Sequence, residues 1–241
     1  MDKQAEFSTT KKDNIHAGHR DRMKSEFLEN GLEGMKPHRV LELLLFYCVP
    51  RCDTNPLAHA LIDKYKTLSG VLDAPVEELI TFPGITKNNV GLLKMIIPIA
   101  RLYAKSKEAK SVNFKSIDDI GDYLLNRYFG FTEEKFSVLC TDTTGKPLGF
   151  EILCEGDLNS VGVSTRNIIE YVLSTKATCA VIAHNHPSGI ALPSNQDIAI
   201  TEQVKEGLSH INVKLLDHII IADNDYISLF QTQKYKYIFN D

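Results

Sequence analysis

The pattern of apolar and polar positions changes character about halfway along the chain. In the first half, apolar positions recur at helical spacing. Residues 39–49 (RVLELLLFYCV) predict a buried helix. Asn55-Pro56 sets a capping residue before a proline at the first helical position, predicting a helix through LAHALIDKYKTL. Asp73-Ala74-Pro75 opens a short helix, VEELI. After the turn Phe82-Pro83-Gly84-Ile85-Thr86, the stretch NNVGLLKMIIPIARLYAK predicts a longer helix that Pro98 should kink. Residues 105–115 (KSKEAKSVNFK) are polar and lysine-rich and read as a linker.

In the second half, helical and strand-like segments alternate. SIDDIGDYLLNRYF predicts a helix, EKFSVLCTD a strand, Thr144-Gly145-Lys146-Pro147 a hairpin turn and LGFEILCEG a second strand. RNIIEYVLST then predicts a helix, CAVIAHNH a strand and SNQDIAITEQVKEGLSHI a helix, followed by strands VKLLDHIIIA and DYISL. The expected fold class is α/β, in the α+β sense: a mixed sheet flanked by helices over residues 116–241. A small all-helical domain over residues 1–110 precedes it.

Charge follows the same division. Residues 1–115 carry 18 Lys and Arg against 14 Asp and Glu, and residues 116–241 carry 9 against 17. A mildly basic half joined to an acidic one suggests domains with different partners. The longest apolar run, Leu43 to Val49, is far short of the ~18 residues of a membrane span, so no membrane partner is expected. The polar start lacks the apolar core of a signal peptide. Five cysteines without a CxxC pair support neither a disulfide framework nor a cysteine zinc site, and fit reduced thiols in the cytoplasm.

The candidate chemistry lies in AHNHPSG, residues 183–189. In a strand, residues i and i+2 face the same side, so His184 and His186 can reach one point in space. Ten residues separate His186 from Asp197, at the start of the following helix, a possible oxygen ligand. Two histidines and one carboxylate leave a fourth position of a zinc tetrahedron for water, whose pKa falls toward ~7 on binding. Asp197 has a second reading, because Ser194 and Asp197 have the spacing of a capping box. The two readings are compatible.

His184-Asn185-His186-Pro187-Ser188-Gly189, with Pro193-Ser194-Asn195-Gln196-Asp197 after it, resembles the JAMM motif of the MPN/JAB zinc metallopeptidases, and HNHPSG resembles the RadC group among them. GHRDRMK near the start, the turn around Pro83-Gly84-Ile85, EILCEGDLNSV and LDHIIIADNDYISL fit that group as well. The resemblance implies one zinc per chain held by His184, His186 and Asp197, and a glutamate as general base on the bound water. Glu151, five residues before Gly156, is the match, with Glu155 the alternative on the same strand. Ser194 would stabilise the oxyanion of the tetrahedral intermediate. Arg166 also matches, without an evident role, and His210 and His218 read as structural or exposed.

The implied function is zinc-dependent hydrolysis of a peptide or isopeptide bond in a peptide or protein substrate. Glu78 to Val90 resembles a helix-hairpin-helix, which would give residues 1–110 a non-specific contact with DNA phosphates. Thr86 stands where that motif has its second glycine, and Gly18 to Arg22 is either a second phosphate contact or a solvated helix start. The alternatives are a DNA-processing nuclease and a non-catalytic MPN scaffold. A deaminase fits less well than either, because neither H-x-E nor PCxxC occurs.

Overall fold

The computed structural model describes residues 18–49, 52–107, 112–156 and 164–240. The chain divides into two compact units, residues 1–98 and 99–241.

The first unit is helical: α1 (His19–Asn30), α2 (Pro37–Leu45), α3 (Asn55–Tyr65), α4 (Leu68–Asp73), α5 (Val76–Ile80) and the start of α6 (Lys87–Lys107). Leu41, Leu45, Leu61, Val71, Leu79, Val90 and Leu93 form its core. Pro56 lies in the first turn of α3 as expected, but the N-cap is Thr54 rather than Asn55. The expected continuation through Leu68 breaks at Lys66, which has φ 70°, and Thr67 caps α4 by accepting from Gly70 N–H. The lysine-rich stretch is helical as far as Lys107, so the division between units falls inside α6, earlier than composition placed the linker.

The second unit continues with α7 (Ile117–Tyr128), β1 (Lys135–Thr141), β2 (Pro147–Glu155), α8 (Thr165–Thr175), β3 (Cys179–Asn185), α9 (Asn195–Ser209), β4 (Lys214–Ala222), β5 (Asp225–Ser228) and a 3-10 turn (Lys236–Phe239). The strands form one mixed sheet in the order β2-β1-β3-β4-β5, in which only the β3–β4 pair is parallel. A right-handed crossover through a helix is the usual way to join parallel neighbours, and α9 makes that connection. β1 and β3 occupy the middle, and their burial is nearly complete, as expected for strands covered on both faces. Phe136, Val138, Ile182 and Ile220 pack on one face with Ile168 and Val172 of α8 and Val204 and Leu208 of α9. Leu139, Val181, Ala183, Ile219 and Ile221 pack on the other with Ile120 and Leu124 of α7.

One helical glycine is required by packing. A Cβ at Gly121 in α7 would lie 2.1 Å from Cζ of Tyr226 on β5. At an open site Gly→Ala gains about 1 kcal/mol of helix stability, whereas overpacking costs about 1–3 kcal/mol. Gly121→Ala is therefore expected to lower the urea midpoint, with a net loss of up to about 2 kcal/mol; a raised midpoint would show that the Tyr226 ring yields freely.

Candidate metal centre

The two histidines of the motif share the face of β3 that α9 covers. His184, next to last in the strand, is fully buried. His186 lies just past the strand end, yet its N–H still donates to Ile221 C=O at 2.7 Å, so β4 holds it in line. The chain then turns, with Gly189 N–H donating to His186 C=O, and Gly189 takes φ 78°. A Cβ there would lie 2.9 Å from Asp223 Oδ2, so conformation and space both call for glycine.

Asp197 returns at the head of α9, where it caps the helix and lies against the histidines. Its Oδ2 accepts from Ser194 N–H and from Ser194 Oγ, both at 2.7 Å, while its own N–H donates to Ser194 Oγ at 3.1 Å, completing a capping box. Its Oδ1 lies 3.1 Å from His184 Nε2, and Oδ2 lies 3.7 Å from His186 Nε2. Burial raises the Asp197 carboxyl, but the bond to and charge of His184, with the Ser194 donors, outweigh it and hold the group ionised far below the usual carboxylate range.

These contacts fit a cation. His184 Nε2 and His186 Nε2 are 2.9 Å apart. His186 Nδ1 faces the Ile190 carbonyl at 2.9 Å, and a carbonyl can only accept, so the proton of neutral His186 sits on Nδ1 and Nε2 presents a lone pair. Two imidazole nitrogens and a carboxylate oxygen thus converge on one spot. Without a positive charge between them, an extra proton must separate these acceptors.

Glu134 is the other acidic group brought to the histidines. One oxygen of Glu134 and one nitrogen each of His184 and His186 lie within 4.8 Å of one another. Asn185, the middle residue of the His-Asn-His string, fixes this placement. Its Oδ1 accepts from Lys135 N–H at 2.8 Å and its Nδ2 donates to Glu133 C=O at 3.0 Å, bracketing Glu134. The Glu134 carbonyl accepts from Gly156 N–H at 2.8 Å, which ties the same residue to the end of β2.

Glu151 does not join this group. It is exposed on edge strand β2, opposite Val138, which in turn pairs with Ile182 of β3. Two strands of separation amount to ~10 Å, and the two-residue offset to His184 adds ~7 Å along the strand, more than a glutamate side chain spans. Glu155 is also remote, spending its charge on Lys135 Nζ at 3.0 Å. Spacing along the chain carried no sign of Glu134. The only signal would have been the register of β1 against β3, which aligns Phe136 with His184.

Behind His184 lies a residue that sequence reasoning set aside. His218 of β4 is fully buried, and its Nε2 is 2.8 Å from His184 Nδ1. Its Nδ1 is 2.6 Å from Thr201 Oγ1, and the Thr201 hydroxyl donates to the Asp197 carbonyl. Burial pushes His218 well below the ordinary imidazole range. His210, by contrast, is exposed and bonds the Glu206 carbonyl, and Arg166 forms an exposed pair with Glu170 one turn on.

Two of the candidate phosphate-contact residues, Arg20 and Thr86, are bonded within the helical unit. Arg20 donates to the carbonyls of Phe46, Val49 and Cys52. Thr86 gives both its N–H and its hydroxyl to Asn89 Oδ1, at 2.6 and 2.8 Å. Asn89 thus closes the start of α6 over the Thr86 amide, and the Thr86 hydroxyl adds a bond that a glycine could not make.

The model of the RadC-like JAB domain matches residues 114–235, a span that holds Glu134, His184, His186, Asp197, Thr201 and His218. The chain belongs to the RadC family. Among its relatives, a UPF0758 protein of Fusobacterium nucleatum is 34% identical over 92% of this chain and 98% of its own length. A UPF0758 protein of Carboxydothermus hydrogenoformans is 33% identical, covering 86% of this chain and 92% of its own. Alignments of that length take in the helical half of this RadC protein as well as its JAB domain. The domain has the fold of JAMM-type metal-dependent hydrolases. Of the segments that first suggested RadC, residues 157–161 lie outside the described residues.

Replacing Asn185 with alanine leaves Lys135 N–H and Glu133 C=O without their partner. Asn185→Ala is expected to cost about 1–3 kcal/mol in denaturant unfolding of metal-free protein. A cost near zero would mean that Asn185 does not secure Glu134.

Proposed function

We propose that this chain is a zinc-dependent hydrolase of metallopeptidase type, cleaving a peptide or isopeptide bond by means of an activated water. The observation that carries this reading is the meeting of two imidazole nitrogens and the Asp197 carboxylate within 3.7 Å, with a second carboxylate beside them. Nitrogen and oxygen donors of this kind suit zinc, and three protein ligands leave a position open. The cation would supply Lewis acidity and bring the pKa of a water toward ~7.

His184, His186 and Asp197 hold the cation, one per chain. Glu134, rather than Glu151, is the general base: it accepts the proton of the attacking water and passes it to the departing nitrogen, which an amine needs in order to leave. Asp197 reaches the histidines from the head of α9, at 3.1 and 3.7 Å, and Glu134 approaches the same pair within 4.8 Å from the residue before β1. Ser194 sits at the N-cap of α9 with its hydroxyl on Asp197 Oδ2. There it steadies the ligand; in the tetrahedral intermediate its one hydroxyl hydrogen turns to the negative oxygen while the Ser194 N–H keeps its bond to Asp197 Oδ2, aided by the positive end of the α9 dipole. The five free cysteines fit a reducing compartment, and we place the protein in the cytoplasm. Among the described residues no helix is long and apolar enough to cross a membrane.

The test combines metal analysis with a screen of linear and isopeptide-linked peptides. Wild-type protein should hold about one zinc per chain, lost in His184→Ala. Glu134→Gln should keep the metal and lose about 10²–10⁴-fold in hydrolysis, while Glu151→Gln stays within a few-fold of wild type. Hydrolysis that survives Glu134→Gln and vanishes with Glu151→Gln would reverse the assignment. Absence of bound metal in the wild type would end the proposal.

A further inference from the structure

Two buried polar side chains behind His184 have no part in the chemistry described so far: His218 on β4 and Thr201 on α9. We propose that Thr201 and His218 form a directed hydrogen-bond relay that fixes the tautomer of His184, keeping its proton on Nδ1 and its Nε2 lone pair toward the cation. The consequence for a cation rests on the metallohydrolase reading; the direction of the relay does not.

The direction follows from counting hydrogens. A backbone carbonyl has none to give, so at the Asp197 carbonyl Thr201 donates. A hydroxyl has only one, so toward His218 Thr201 Oγ1 accepts, and the N–H at that 2.6 Å contact belongs to His218 Nδ1. His218 is fully buried with no carboxylate bonded to either ring nitrogen, an environment that favours the neutral ring. Its single proton is on Nδ1, and Nε2 accepts. His184 Nδ1, 2.8 Å from that Nε2, therefore donates, and His184 Nε2 is left to face His186 and Asp197, as a lone pair when a cation replaces the proton they would otherwise share. Each bond in the chain has one donor and one acceptor. Reversing any of them would set two hydrogens or two lone pairs against each other in a buried site, at a cost in stability.

Two features make this more than core packing. Metal-bound histidines commonly give their second N–H to a carboxylate, a carbonyl or water, which orients the ring and sets its basicity. Here the acceptor is a neutral imidazole, which orients the ring without pulling its proton away. The relay also begins at the backbone of a ligand: the Asp197 carbonyl anchors Thr201, while the Asp197 carboxylate meets His184 Nε2. One turn of α9 thus positions two ligands, one by direct contact and one through three hydrogen bonds. His218 and Thr201 are positioning residues, with no contact to substrate.

The experiment is nitrogen-15 NMR of the histidine rings in the full, metal-free chain at about pH 8, where ordinary histidines are neutral, paired with zinc affinity by chelator competition. Wild-type His184 should be protonated on Nδ1. His218→Phe, similar in shape but without an acceptor, should lose that preference and weaken zinc binding about 10–100-fold. His218→Gln, whose amide can accept from His184 and donate to Thr201, should restore both to within a few-fold. Thr201→Val should loosen the preference, and Thr201→Ser should keep it. Wild-type His184 without a proton on Nδ1, or an unchanged spectrum and affinity in His218→Phe, overturns the relay. If His218→Phe does not fold, the wild-type tautomer and the Thr201 pair decide. Wild-type protein that shows the Nδ1 tautomer yet binds no zinc would sink the metallohydrolase reading and leave the relay standing.

Discussion

The Asp197 carboxylate is asked to do two things, and the site depends on its doing both. One oxygen, with the Ser194 hydroxyl and amide, finishes the end of α9; the other is left to face His184. A charged group this deep in the protein is costly unless its bonding capacity is met. Ser194 and the helix N-terminus meet half of it from one side, and the histidines or a cation meet the rest from the other. The helix cap is what makes a buried carboxylate tolerable at this spot, so secondary structure and chemistry here share the same atoms.

The sequence disclosed what depends on neighbours in the chain and concealed what depends on pairing. The positions of β3 and α9 followed from hydrophobic runs and a capping box, and the His184–His186 pair followed from strand alternation. Glu134 did not, because it reaches the site only through the register of β1 on β3, and nothing in its own surroundings distinguishes it from Glu133. His218 was hidden for the same reason: its value comes from the parallel pairing that sets it against Ile182, one residue pair from His184. Glu151 was attractive because a motif counted along β2 led to it. β2 proves to be an edge strand with β1 between it and the histidines.

In the helical unit, the basic residues near the start looked like a surface for phosphates. Two of them, His19 and Arg20, face inward. His19 bonds Glu42, a buried carboxylate that also accepts from Asn55, and Arg20 collects three carbonyls left over where α2 ends. Helix termini leave carbonyls without intrahelical partners, and a guanidinium with five N–H groups is well suited to gather several at once. A charge count along the chain treats such an arginine as solvent-facing, and here it acts as part of the frame.

The bracketing of Glu134 by Asn185 has a further meaning for how the protein assembles. A slip of one residue between β1 and β3 would turn every side chain of one strand to the opposite face, carrying the acid away from the imidazoles. A divalent ion that binds only the properly matched strands adds its binding free energy to that alignment and to no other. Such an ion would act as a proofreader, with the folded sheet held in its one correct alignment by the atom it exists to employ.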